Sequence, residues 1–85
     1  MTDSMSGRAR LARNNINILT ALPTQGGEYL SVTFEFQYRL PSGQPVWRKT
    51  FGIYPLDLYQ ALEEILDDVR SLRRELENGE SNQAD

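Results

Sequence analysis

An uninterrupted alternation of apolar and polar residues over positions 29–40 constrains this fold more than any other feature. The apolar set is Leu30, Val32, Phe34, Phe36, Tyr38 and Leu40, against Ser31, Thr33, Glu35, Gln37 and Arg39. Successive side chains of a strand point to opposite faces, so this pattern predicts a strand with one buried and one solvated face. At about 3.3 Å per residue it would extend roughly 40 Å, which is about twice the usual length and favours curvature.

Two shorter runs predict further strands on either side. Residues 15–22 are rich in β-branched side chains, with Ile16, Ile18, Thr20 and Leu22 on one face. A Pro-Thr-Gln-Gly-Gly turn at 23–27 then leads into the long strand, and a Pro-Ser-Gly-Gln-Pro loop at 41–45 leads out of it. Residues 46–54 then form a strand that runs back along the long strand in the opposite direction. We therefore predict a curved antiparallel sheet.

The pairing of the last two runs determines which side chains share a face. Placing Leu40 opposite Pro45 predicts the cross-strand pairs Tyr38–Trp47, Phe36–Lys49, Phe34–Phe51 and Val32–Ile53. Lys49 does not belong in that apolar row. We prefer a break or bulge near Lys49 and Thr50, which would give a third and a fourth short strand; otherwise Lys49 extends to a sheet edge.

A long amphipathic helix is predicted from Pro55 to about Glu77, before Gly79. Its apolar positions are spaced 4, 3, 4, 3 and 4 residues apart: Leu58, Leu62, Ile65, Val69, Leu72 and Leu76. This seam resembles a coiled-coil repeat, and its last turns would overhang a small sheet. We predict a homodimer interface of Leu62, Ile65, Val69, Leu72 and Leu76; the alternative is a helix that simply crosses a wide, curved sheet.

Together these elements predict an α+β fold, a sheet of three to four strands followed by one C-terminal helix (ββββα), in one domain at 14–77. A flexible basic arm at 1–13 and a flexible polar tail at 78–85 would flank it. A core drawn from a chain of 85 residues is marginal by itself, which also favours a partner subunit or ligand.

Several functional classes are excluded or disfavoured. The chain has no histidine and no cysteine, so imidazole-based catalysis, thiolate metal sites and disulfides are excluded. Exposed helix carboxylates at 63, 64, 67 and 68 are typical of a solvated face. We predict a non-enzymatic protein without metal or cofactor. No apolar run is typical of a signal peptide or membrane span, and we expect a cytoplasmic location.

Charge is segregated along the chain. Residues 1–53 contain six basic and three acidic groups, whereas residues 54–85 contain three basic and nine acidic groups. Within the basic half, Arg39, Trp47, Arg48 and Lys49 surround the second hairpin, with Gln37 as a neutral hydrogen-bonding group and Arg13 on the arm. Cations beside aromatic rings suit single-stranded nucleic acid. Alternatively, Trp47 packs in the core against Tyr38, and Arg48 and Lys49 protect a sheet edge.

The order of elements resembles the positive-cofactor-four family of transcriptional coactivators, relatives of the plant Whirly proteins. The best match is residues 48–62, RKTFGIYPLDLYQAL, which is similar to the family's basic residues, Gly-Ile, and proline-marked helix start. The resemblance implies a curved four-stranded sheet that binds single-stranded DNA, dimerised through its helices. It also implies a phosphate-contact role for Arg48 and Lys49 and a stacking role for Trp47.

Two functional hypotheses follow. The first is a dimeric protein that binds single-stranded DNA or RNA, as a transcription or replication accessory factor. The second is a small acidic protein-interaction module, an inhibitor or adaptor, that binds a protein partner through its helix or a sheet edge. Glu35 lies in the middle of the predicted binding face and disfavours the first.

Overall fold

The fold is α+β, with three antiparallel strands followed by one helix. A computed structural model describes residues 10–82, and the side chains of residues 10–78. The strands are β1 (Ile16–Pro23), β2 (Tyr29–Arg39) and β3 (Pro45–Pro55), and the C-terminal helix spans Leu58–Asn82. The sheet order is β1-β2-β3, so each strand pairs with its neighbour in the chain.

The alternation of β2 is confirmed, because its even-numbered side chains face the helix. Val32 and Phe34 are each 1% exposed and Phe36 is fully buried. Their aliphatic and aromatic side chains form one core with the following buried residues of the other elements: Leu11, Ile16, Tyr54, Ala61, Leu62, Ile65 and Val69. The odd-numbered side chains of β2 therefore lie on the opposite, uncovered face.

The predicted register of β2 and β3 is wrong by one residue. Arg39, not Leu40, lies opposite Pro45. Leu40 belongs to the loop instead, where its N–H donates to the Gln44 carbonyl at 2.9 Å and its carbonyl accepts from Gly43 N–H at 2.8 Å. A slip of one residue moves every side chain to the other face. The row Trp47, Lys49, Phe51 and Ile53 consequently lies on the uncovered face rather than in the core.

The predicted break near Lys49 and Thr50 is also wrong, because β3 pairs with β2 without interruption from Pro45 to Pro55. The break would remove Lys49 from the apolar row of the predicted register. In the observed register Lys49 lies opposite Glu35 on the uncovered face, so no irregularity is needed there.

The irregularity lies in β1 instead. The register shifts between Ile18 and Thr20, leaving Leu19 as the extra residue of a bulge. Ile16 and Ile18 pair with Phe36 and Phe34 on the helix side, whereas Thr20 pairs with Thr33 on the uncovered face. The predicted single face shared by residues 16, 18, 20 and 22 is therefore divided between the two sides.

The helix begins three residues later than predicted and ends beyond the predicted stop. Pro55 still pairs with Tyr29 as the last residue of β3. Asp57 is the N-cap, because its Oδ1 accepts the N–H of Gln60 at 3.2 Å. At the other end the helix continues through Gly79 to Asn82, so the tail predicted from residue 78 is helical over its first part.

The apolar seam of the helix packs on the chain's own sheet. Leu62, Ile65 and Val69 are 7%, 2% and 1% exposed without any partner chain. Leu72 and Leu76 are partly buried against the same core. The chain's own core therefore accounts for the apolar spacing of Leu62, Ile65 and Val69, and a helix–helix dimer interface that includes the seam stays a prediction.

The predicted arm ends earlier than residue 13. Residues 10–13 form a helical turn, and Leu11 is 4% exposed within the core. Asn15, at φ 59°, terminates the turn in the left-handed conformation common after helices. The turn is also joined to the C-terminal helix by Arg10 Nη1 and Glu63 Oε2, 3.0 Å apart. Residues 1–9 lie outside the described part of the chain.

Tyr54 connects the edge of the sheet to the helix. Its hydroxyl donates to Asp68 Oδ2 at 2.6 Å, and its ring lies 6.3 Å from that of Phe34. Burial raises the pKa of the Tyr54 hydroxyl above its usual value, and the hydrogen bond to Asp68 and the negative charges of Asp68 and Glu64 raise it further. The neutral hydroxyl is thus the form that the fold stabilises.

This raised pKa predicts a pH-dependent stability. Because the folded pKa exceeds the unfolded one, the contribution of Tyr54 is complete below about pH 10 and is lost as the pH rises above it. We expect wild type to be about 1 kcal/mol more stable than Tyr54→Phe at about pH 8. Urea unfolding should show that advantage shrinking at about pH 11. A constant or growing advantage would contradict the buried hydrogen bond.

Candidate nucleic-acid interface

The sheet face that the helix leaves uncovered is the candidate binding surface, and we name it the open face. Its side chains follow from the observed register: Asn17, Thr20 and Leu22 of β1; Tyr29, Ser31, Thr33, Glu35, Gln37 and Arg39 of β2; Trp47, Lys49, Phe51 and Ile53 of β3. The surface is therefore built from small polar groups in the centre and large rings along one edge.

The β3 row carries the rings and a cation. Trp47 is 47% exposed and Phe51 is 70% exposed, with Lys49 between them on the same face. The two rings are four residues apart, which is about 13 Å along a strand. Their cross-strand partners are Gln37 and Thr33, which are too small to cover them. Both rings thus present surface to solvent that the fold itself does not use.

The charges of the open face nearly balance at its centre. Lys49 lies opposite Glu35, and Glu35 in turn accepts a hydrogen bond from Asn17 Nδ2 at 3.0 Å. Arg39 adds a second cation at the end of β2, where its Nη1 donates to the Gly43 carbonyl at 2.8 Å. The face is therefore mildly cationic toward the second hairpin and neutral and apolar toward Tyr29.

The structure brings together four of the six predicted nucleic-acid residues. Gln37, Arg39, Trp47 and Lys49 share the open face. Arg48 lies opposite Phe36 and therefore belongs to the other face of β3, although it is exposed. Arg13 lies on the helical turn rather than on the sheet.

Sequence reasoning missed Phe51, the most exposed of the large apolar side chains. The predicted register placed it in the core opposite Phe34. The misfit of Lys49 was the available signal, because shifting the register by one residue removes Lys49 from the core and exposes Phe51 in the same step.

A second feature adjoins the open face at the end of the sheet where β2 extends beyond the first residue of β1. Arg13, Arg39 and Arg73 line a cleft of about 290 Å³ together with Asn14, Gln37 and Glu77; we name it the arginine cleft. Arg73 Nε donates to the Gln37 carbonyl at 2.7 Å, and its Nη2 donates to the Asn14 carbonyl. Burial lowers the pKa of Arg73, and the nearby Glu77 carboxylate opposes that shift. Arg73 thus joins the helix, β2 and the helical turn.

The carboxylates of the C-terminal helix form ion pairs and hydrogen bonds within the chain. Glu63 pairs with Arg10, Asp67 pairs with Arg70, and Asp68 accepts from Tyr54. Among the side chains of residues 10–78 the acidic groups form no cluster of three that could hold a metal ion. No helix in this part of the chain has the length and apolar character needed to cross a bilayer.

Comparisons with protein-family models, with curated proteins and with solved structures gave no match to this chain. The resemblance to the positive-cofactor-four family therefore stays a prediction from the sequence pattern. The geometry of the open face supplies the functional argument instead.

Proposed function

We propose that the open face binds single-stranded nucleic acid, without enzymatic activity. The observation that carries this proposal is the row of Trp47, Lys49 and Phe51, in which two exposed rings flank a cation on the uncovered face of the sheet. Exposed rings stack on bases, and a neighbouring ammonium group neutralises phosphate, without regard to base sequence. The threonine, serine and glutamine side chains of β2 supply hydrogen-bonding groups beside them.

Fluorescence anisotropy of a labelled single-stranded oligonucleotide tests the proposal. We expect binding that weakens as salt rises, because phosphate contacts release counterions. Trp47→Ala should weaken binding by about 5- to 150-fold, the range for losing one stacked base. Glu35→Gln should strengthen it, because the substitution removes the carboxylate opposite Lys49 and keeps an oxygen for Asn17.

Arg48 and Lys49 provide a matched pair of controls on adjacent positions of one strand. Lys49→Ala should weaken binding and reduce the salt slope by about 0.7. Arg48→Ala removes the same charge from the other face and should change affinity much less at moderate salt, where distant charges are screened. Equal effects of the two substitutions would place the ligand elsewhere, and no binding at low salt would refute the proposal.

The second candidate, a protein-interaction module, is favoured by a different observation. An apolar groove of about 600 Å³ runs between β1 and the start of the helix, lined by Leu11, Ile16, Ile18, Leu58 and Leu62 among others. Ile18 is 38% exposed and Leu58 is 47% exposed, and β1 carries no charged residue to protect its edge. This candidate becomes the better one if the oligonucleotide does not bind at low salt.

A further inference from the structure

The arginine cleft forms because β2 extends beyond its neighbour. β1 begins opposite Phe36, so Gln37 and the residues after it have no strand on that side. The helical turn and the C-terminal helix occupy the space, and Asn15 accepts the Gln37 N–H at 3.1 Å. The cleft therefore lies at one end of the open face, next to Gln37 and Arg39, which belong to both.

The charge in the cleft is not balanced. Arg13, Arg39 and Arg73 line it, and Glu77 is the one acidic residue among its lining. None of the three arginines forms an ion pair within the described part of the chain, where the two ion pairs are Arg10–Glu63 and Arg70–Asp67. The Glu77 carboxylate accepts the backbone N–H of Arg39 at 3.1 Å. The cleft consequently carries a net charge of about +2.

One of the arginines is also fixed in orientation. Arg73 is partly buried, and two carbonyls hold its Nε and Nη2 groups. A guanidinium group has five N–H donors, so two bonds leave about three of them for a ligand. Holding the side chain in place before binding reduces the entropy lost on binding. Arg13 and Arg39 are exposed. Arg39 gives one N–H to the Gly43 carbonyl, which leaves about four of its donors for the same ligand.

We propose that the arginine cleft binds a phosphate dianion, supplied by the terminal phosphate of a nucleic-acid strand that lies on the open face. Guanidinium groups bind phosphate oxygens in paired hydrogen bonds. A terminal monoester carries about twice the charge of an internal diester at neutral pH, which matches a cleft of about +2. Whether the cleft binds phosphate does not depend on the proposed function of the open face. The assignment of that phosphate to the end of a nucleic-acid strand rests on the proposed function.

Three oligonucleotides of one sequence test this proposal: one with a 5′-phosphate, one with a 3′-phosphate and one with neither. We expect one phosphorylated end to bind about fivefold tighter or more than the unphosphorylated strand. Arg13→Gln and Arg39→Gln should each remove most of that preference, whereas Glu77→Gln should increase it. Arg74→Gln is the matched control, because Arg74 is exposed on the same helix and does not line the cleft.

Adding inorganic phosphate tests the cleft without nucleic acid. Its addition should shift the amide NMR signals of residues 13–15 and 37–39 in wild type, and not in the Arg13→Gln, Arg39→Gln double variant. Oligonucleotides that bind equally well with and without an end phosphate would overturn the strand-end assignment and leave the open-face function intact. Phosphate-dependent shifts without oligonucleotide binding would support the dianion site and contradict that function. No shift and no end preference would overturn the proposal.

Discussion

Replacing Val69 with aspartate should unfold the chain rather than separate a dimer. Val69 is 1% exposed and packs in the core between helix and sheet. A carboxylate there would lose its hydration without gaining a partner, at a cost of several kcal/mol. That cost is comparable to the whole stability of a small domain, about 5–15 kcal/mol. Circular dichroism should show lost helical signal and no cooperative melting transition.

Ser71→Asp is the control for this prediction. Ser71 is exposed on the same helix, two residues further along, and its replacement should change stability by less than about 0.5 kcal/mol. Light scattering after size-exclusion chromatography would report the oligomeric state of both variants. A Val69→Asp variant that remains folded and becomes a monomer would contradict the core position and restore the predicted helix–helix interface.

Gly52→Ala should destabilise the fold by about 2–3 kcal/mol, because its new methyl group would overlap a buried ring. A Cβ at position 52 would lie 2.6 Å from the Tyr54 hydroxyl oxygen and 2.8 Å from two ring carbons. Tyr54 cannot move away cheaply, since it is 4% exposed and its hydroxyl is bonded to Asp68. Urea unfolding of the variant should therefore show a lower midpoint with a similar slope.

Gly26→Ala makes the comparison specific to the Tyr54 contact. A Cβ at position 26 would meet no atom within 4 Å, and the left-handed residue of that turn is Gly27. We expect a change within about 0.5 kcal/mol. If the two alanine variants were equally stable, Tyr54 would not lie over Gly52, and its hydrogen bond to the helix would be in doubt.

The candidate site was predicted less completely than the fold. The residue types were found because rings and cations are visible in any sequence, and Trp47 and Lys49 do lie on the open face. Arg48 was grouped with them although adjacent residues of a strand face opposite ways. Arg73 was not predicted at all, because its contacts to Asn14 and Gln37 join residues 59 and 36 positions apart. No local pattern reports such distances.

Three features could be predicted from the sequence: the strand at 29–39, the division of its side chains between two faces, and a C-terminal helix with one apolar side. These follow from periodicity, which each segment carries without reference to the rest of the chain. The register of β3, the bulge at Leu19 and the packing partner of the helix seam depend on contacts between distant segments. The five-residue loop from Leu40 to Gln44 and the packing of the helix on the sheet set these together. A shift of one residue, which neither strand shows by itself, moves Phe51 and Ile53 from the predicted core to the open face.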